Sequence, residues 1–321
     1  MSYFLNFLTM AITASAPLLL GTLGEMLTEK SGTLNLGLEG LVFLGGIGGF
    51  AALYWLEPTS SGAIIFWAFL GSLGAAGLAA LFFAFLTVTL KANQNVAGLA
   101  LTISGIGLAN FMGEYLVSQS DSGYAVLEPI QIFNQPCFSS LAQTGWLGKL
   151  LFSYNFLVYL AIILALGLAY FFYHTSTGLN LRAVGENPAA ADSCGVRVAW
   201  YRYWAILIGG GISSLSGLYL VLNSSFGCGG VWVFNSFSGY GWLSLALVIF
   251  SRWNPYTALY CSLVFGGLSI LNLYYPLHFI PAEFYSILPY LATIAALILL
   301  SFRNYQDGSP FLGKAYFRES R

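Results

Sequence analysis

An all-α polytopic membrane protein of about nine (eight to ten) transmembrane helices is predicted by three observations. Hydrophobic residues make up 58% of the 321 residues and charged residues only 7%, with a mean hydropathy of +0.76. A soluble domain carries about a quarter charged residues, so this chain cannot dress a water-facing surface. The apolar residues come in continuous runs of about 20, the length of helix that crosses roughly 30 Å of hydrocarbon. Strands of a membrane barrel would alternate polar and apolar residues over about 10 positions instead. The basic residues, finally, segregate between alternate connections in the way that orients a multi-span chain.

Taken in order, the predicted spans cover roughly 5–27, 34–56, 63–90, 95–117, 151–173, 203–223, 239–252, 255–275 and 284–302. The opening MSYFLNFLTMAITASAPLLL has neither a basic n-region nor a small-residue cleavage site, so it reads as a retained helix. The seventh span is short and reads as a half-span or part of a broken helix. Lys30, Lys91, Arg182, Arg197, Arg202, Arg252, Arg303, Lys314, Arg318 and Arg321 share one side if the N-terminus is outside, and only Lys149 falls on the other. The rule that basic loops stay inside then makes the polar stretch and the C-terminus cytoplasmic. Two outer connections follow, about 118–150 and 224–238, the first long enough to dock a partner. No composition shift divides residues 1–321, which read as one membrane domain with a tail at 303–321.

Glycine is abundant at 37 residues, clustered at Gly45 to Gly49, Gly71 to Gly77 and Gly209 to Gly211. Small residues let helix backbones approach closely in lipid, where packing replaces the hydrophobic drive. The four cysteines match no metal spacing. Cys137 and Cys228 fall in connections placed outside, where a disulfide could form; otherwise they are small apolar residues. His174 and His278 end spans and read as satisfied interfacial side chains, and Glu57 and Glu283 as solvated ones. A net charge of −1 argues against a nucleic-acid partner, and no metal or catalytic cluster stands out.

Ionisable and amide residues at membrane depth are costly and so are candidates for function. Glu25, Glu39 and Glu114 qualify, with Asn35, Asn93, Gln94, Asn95, Thr102 and Asn110 as candidates to line a solute pathway. Asn35 and Glu39 are four apart, as on one helix face. If the chain breaks at Ser31-Gly32, Thr33 or Asn35 would cap the restarted helix, with Glu39 near its positive end. Capping and solute contact both remain open for these side chains.

The most polar stretch is HTSTGLNLRAVGENPAAADSCGVRVAWYRY at 174–203, between two spans. Thr175 to Gly178 ends the fifth span. Asn187 then suits an N-cap and Pro188 the first helical position, where its missing N–H costs nothing. Ala189 to Ala191 favour helix, Asp192 is expected in the first turn, and Gly195 suits the C′ position. The expected product is about two turns of helix along the cytoplasmic surface within the loop 174–202.

Here the residues resemble a family. Ala190-Ala191-Asp192-Ser193-Cys194-Gly195 is similar to the A-A-x-x-x-G core of the loop by which permease subunits of ABC importers dock on their ATPase. GLNLRAVGENPAAADSCGV, with GEMLTEKSGTLNLGLEGLVFLGG, NQNVAGLALT and GYGWLSLALVIFSRWNPYTALYCSLVFG, resembles the branched-chain amino-acid/ribose permease superfamily in its nucleoside-type branch. One departure is that the usual glutamate of the loop is Ala189, with an acid at Glu186. The resemblance implies the shorter permease of a heterodimer, importing a purine nucleoside, or else riboflavin or a sugar. It implies ATPase contact through Arg182, Glu186, Asn187, Pro188, Ala190, Ala191, Asp192 and Gly195, and a gate near the break at 31–35. It also implies a second permease and a periplasmic or lipoprotein substrate-binding protein as partners. No G-x-x-x-x-G-K-[ST] occurs, so ATP and Mg would be bound by a separate subunit and no cofactor by this chain. A stand-alone secondary transporter or channel is the rival reading; it predicts paired ionisable groups or matching broken helices in two halves.

Overall fold

A backbone in hydrocarbon must satisfy its own hydrogen bonds, so long apolar runs fold as helices. The computed structural model of the protein describes residues 2–55, 61–119, 127–225, 227–276, 281–301 and 308–318. Among them there are helices and no strands. The elements are α1 (Ser2–Lys30), α2 (Leu38–Trp55), α3 (Ser61–Ala84, continued by a π-helical turn Phe85–Thr89), α4 (Gln94–Gln119), α5 (Leu127–Asn134), α6 (Ser139–Ala142), α7 (Gly145–Phe152) and α8 (Phe156–His174). They continue as α9 (Ser176–Glu186), α10 (Pro188–Ser193), α11 (Val198–Leu222), α12 (Tyr240–Phe250), α13 (Pro255–Ser269), α14 (Leu271–Tyr274) and α15 (Ala282–Ser301). Glu57, His278, Arg303 and Arg321 lie outside the described residues, as does the side chain of Glu283.

Six of these helices are long and apolar enough to cross a membrane: α1, α2, α3 with its π turn, α4, α8 and α11. The predicted seventh span is the 11-residue α12. At about 1.5 Å per residue it reaches roughly half of the hydrocarbon thickness. The predicted eighth is the 15-residue α13, which stops at Ser269 before the separate α14.

The packing centres on α11. One apolar core joins α1, α8 and α13 to the Ala205, Ile212, Leu215, Leu218 and Leu222 face of α11. A second joins α2, α3 and α4 to Ile206, Leu220 and Val221 on another face. Buried from both sides, α11 carries Gly209, Gly210, Ser213, Ser214, Ser216 and Gly217, all buried. Close approach is the reason: a methyl group on Gly209 would fall 2.5 Å from the carbonyl oxygen of Gly24 on α1. The α2–α3 contact is similar, since a methyl on Gly71 would fall 2.5 Å from the Gly48 carbonyl oxygen. Gly74 and Gly77 differ from this expectation, because they face open space on α3.

The basic residues gather at one end, where Lys30, Lys91, α9, α10, the start of α11 and residues 308–318 meet. Lys149 lies at the other end, where its Nζ donates to Asn6 Oδ1 at 2.6 Å. The first outer connection holds the short helices α5, α6 and α7. All four cysteines are free thiols, Cys137 and Cys228 included. Exposed His174 stacks on Tyr170 at the end of α8.

Candidate functional site

Between α1 and α2 the chain leaves helical geometry for seven residues, with Gly32 at φ +82°. Ser31, Thr33 and Asn35 are at most 1% exposed, so the freed backbone groups of this segment need protein partners. They find them. Glu25 Oε1 accepts from the Asn35 N–H at 3.1 Å, and Gln94 Oε1 from the Leu34 N–H at 2.8 Å. Asn35 Oδ1 accepts from the Gly37 N–H at 2.9 Å, and Thr102 Oγ1 donates to the Leu36 carbonyl at 2.7 Å. Asn35, Gln94 and Thr102 are thus brought together from α4 and the break, each bonded to the backbone of the break. The first bond of α2 runs from the Leu41 N–H to the Gly37 carbonyl, so its cap is Gly37 rather than Thr33 or Asn35. Asn35 lies before the helix and shares no helical face with Glu39, which corrects the i, i+4 reading.

Glu39 reaches across the bundle instead. Its Oε1 accepts from the Gly239 N–H at 2.5 Å, and its Oε2 from Gly241 and Trp242 at 2.7 and 3.1 Å. These are the first N–H groups of α12, which otherwise lack partners. A carboxylate there also complements the helix dipole. Glu39 therefore caps α12 from the first turn of α2, the position in its own helix that the sequence predicted. The other end of α12 is tied too, because Trp253 Nε1 donates to Glu29 Oε2 at 2.5 Å. Glu29 escaped sequence reasoning; its signal was a second acid one helical turn after Glu25. The half-span is therefore held at both ends by acids from α1 and α2.

The other pathway candidates sit elsewhere. Asn93 is the exposed cap of α4, accepting from Asn95 and Val96 at 3.0 and 3.2 Å, and Asn95 itself is exposed. Buried Asn110 makes a two-way amide contact with Asn235, at 2.8 and 3.2 Å, that fastens the 224–239 connection to α4. Glu114 is exposed.

The polar stretch folds as two helices. Thr175 caps α9 by accepting from the Gly178 N–H at 3.0 Å. The residues expected to lead into the short helix, Arg182 and Glu186, are therefore helical themselves. Asn187 then caps α10, accepting from Ala190 at 3.0 Å, with Pro188 in the first turn. At the far end Gly195 has φ +84°, Val196 N–H bonds the Ala191 carbonyl and Gly195 N–H that of Asp192, both at 3.0 Å. That pair of bonds is the Schellman closure. Pro188 and Ala191 are buried, Ala191 against Val184 and Val198, while Glu186, Asn187, Ala190, Ser193, Cys194 and Gly195 are exposed. Arg182 lies over the Tyr173 ring at 5.7 Å. Asp192 falls in the last turn, not the first, where the dipole disfavours an acid. Tyr316 and Arg318 offset this, at 3.0 and 3.1 Å from its Oδ2. Replacing Asn187 by Ala is expected to destabilise α10 by about 1 kcal/mol; faster amide exchange at Ala190 and Ala191, with the rest unchanged, checks it.

Residues 308–318, within the predicted tail at 303–321, form a strap. Its Gly313 N–H donates to the Gly32 carbonyl at 3.3 Å, and its Lys314 carbonyl accepts from Arg202 Nη1 at 3.2 Å. Ser309 bonds the Gly185 carbonyl, and Tyr316 packs on the Val184–Ala191–Val198 cluster. The strap thus links the break, α9, α10 and α11. Apolar and aromatic side chains in the tail, Phe311, Leu312, Tyr316 and Phe317 among them, were the available signal.

Membrane-length helices packed through glycine, with buried irregular backbone between them, define a polytopic membrane protein. The sequence matches residues 7–297 to the family described as branched-chain amino acid transport system / permease component, and the chain belongs to that family. TsgC13 of Haloferax volcanii, provisionally named a glucose ABC transporter permease protein, is 36% identical over 275 residues, covering 85% of this chain and 78% of its own. The nucleoside ABC transporter permease NupC of Lactococcus lactis subsp. cremoris is 32% identical over 311 residues, with 94% and 90% covered. The guanosine ABC transporter permease NupQ of Bacillus subtilis is 31% identical over 315 residues, with 96% and 95% covered. This chain is accordingly an ABC-type permease of the membrane, a class that works with an ATPase.

Proposed function

We propose that this chain forms half of the translocation pathway of an ATP-driven importer for a purine-nucleoside-like solute, and that α9 and α10 are where its ATPase grips. The observation that carries this reading is α10, closed by a cap at each end, anchored by one face and exposed on the other. Only Thr175 separates α8 from α9 and only Asn187 separates α9 from α10. A push on the exposed face therefore reaches α11, and through the strap it reaches the break.

The basic end faces the cytoplasm on this reading, the count of nine crossings includes α12, α13 and α15, and the whole chain acts as one domain. A second permease completes the pathway, ATP and Mg stay on the ATPase, and a substrate-binding protein docks over α5 to α7. The near-full-length likeness to NupC and NupQ supports a nucleoside as the solute. No covalent bond of the solute changes.

The test is transport by proteoliposomes containing this chain, its partner permease, ATPase and binding protein, with labelled guanosine and adenosine. ATP-dependent accumulation, absent when the ATPase is omitted, is the expected result. Uptake by this chain alone overturns ATP coupling, and accumulation of glucose or riboflavin with none of nucleoside overturns the solute assignment.

A further inference from the structure

At the basic end of the bundle a cavity of about 520 Å³ lies between the π-helical end of α3, the α10–α11 connection and the strap. Lys91, Arg197, Arg202 and Arg318 line it, against Asp192 as the one acid in its lining. That carboxylate is already engaged by Arg318 Nε at 3.1 Å and the Tyr316 hydroxyl at 3.0 Å. Three of the cations therefore have no anion supplied from within the lining.

Arg202 makes the imbalance acute. It is 2% exposed, and its Nη1 donates to the Lys314 carbonyl at 3.2 Å. Its Nε and Nη2 are buried without a hydrogen-bond partner, and no acidic side chain pairs with it among the described residues. A guanidinium closed off from water is costly unless negative charge stands nearby. Anionic charge in the adjoining cavity would lower that cost through space, without contact, because the medium between them screens weakly.

The depth of the cavity suggests the kind of anion. Trp200 and Trp204 project from the first turns of α11, both exposed and edge to face at 5.5 Å, on the face turned toward α8 and α9 but at the same level along the helix as lining residues Arg197 and Arg202. Exposed tryptophans at a span end mark the headgroup level of a bilayer. Exposed Phe85 and Leu90 flank Thr87, Val88 and Lys91 on the α3 side. Lys91 is held at φ +56°, a conformation unfavourable for a non-glycine residue, with its Nζ 4.4 Å from the Phe317 ring centroid. Basic pockets at this level suit phosphate groups of lipids.

We propose that this cavity binds a phosphate-bearing anion, with an anionic lipid headgroup as its natural source. The site would hold the phosphate among Lys91, Arg197 and Arg318 and neutralise the field of Arg202. It depends on the membrane-spanning reading alone, and not on which ATPase or solute the protein serves.

The test is the melting temperature of the full-length protein, delipidated in a neutral detergent. It is titrated with phosphatidylglycerol, with phosphatidylcholine, and with inorganic phosphate. Phosphatidylglycerol is expected to raise the midpoint by on the order of 5 °C at saturation, and phosphatidylcholine to leave it unchanged. The double variant K91Q/R197Q, whose side chains are exposed and so leave the fold intact, should lose most of that rise; Arg202→Met should lose it too. An equal rise with inorganic phosphate supports the site and makes its source soluble. Equal responses to phosphatidylglycerol and phosphatidylcholine, or a double variant that responds as wild type, overturn the proposal. A double variant that keeps the lipid response but no longer co-purifies with the ATPase also overturns it, assigning these cations to a protein partner.

Discussion

Replacing Glu39 by leucine is expected to lower the melting temperature of the purified protein by on the order of 10 °C and to abolish uptake. The carboxylate is 2% exposed and takes three backbone N–H groups of α12. Leucine fills much of the space but leaves all three donors unpaired, that of Gly241 buried and those of Gly239 and Trp242 partly so, at about 1–3 kcal/mol for a buried one. Glutamine is the sharper variant. It keeps one acceptor oxygen but turns an amide NH₂ toward at least one backbone N–H, donor against donor. Its midpoint should fall between those of wild type and leucine, with uptake still strongly reduced, because α12 would no longer be seated between Glu39 and Glu29. A leucine variant that melts within 1 °C of wild type and transports normally would show that the α12 N-terminus has other partners.

A charged residue at Gly195 should act in the opposite way, leaving the chain stable while breaking its union with the ATPase. Gly195 is exposed, and a methyl group built on it meets no heavy atom within 4 Å. Within this chain the change costs only the left-handed backbone conformation, roughly 1–2 kcal/mol for an ordinary side chain. Gly195→Glu should therefore insert and melt close to wild type, yet co-purify with at least tenfold less ATPase and lose ATP-dependent uptake. Gly195→Asn, which tolerates the same φ, should retain most of both. Undiminished co-purification of the glutamate variant would remove α10 from the docking surface.

The parts of the site that were legible in the sequence are those whose partners lie within one helical turn. Asn187 caps the residue three ahead, Pro188 occupies the first turn, and Gly195 closes the Schellman bonds to Ala191 and Asp192. Local rules misled where helix length was misjudged. Asp192 was expected in a first turn, but a helix beginning at Pro188 and ending at Ser193 puts it in the last. The α9 helix was overlooked because GLNLRAVGE includes glycine twice after its cap, and glycine lowers helix propensity by about 1 kcal/mol. Its capping by Thr175 and its buried Leu181 and Val184 outweigh that cost. Gly74 and Gly77 read like Gly71, although only Gly71 meets a neighbouring backbone; sequence spacing does not reveal which face of α3 is covered.

The sequence by itself determined that this chain lives in a bilayer as helices. That conclusion needs only run length and charge, because hydrocarbon thickness and unpaired backbone groups act on each segment separately. It also determined the family and the capped helix, through motifs contained in single stretches of chain. The tertiary structure alone decided what the costly polar residues do. Glu39 meets its donors about 200 positions away, Asn110 meets Asn235 across 125, and Gln94 meets Leu34 across 60. Side chains with open hydrogen-bonding capacity look alike in sequence whether they await a solute or a distant backbone. Which backbone partners they take is decided by burial, since an irregular segment sealed from water must draw its partners from whatever the packing brings beside it.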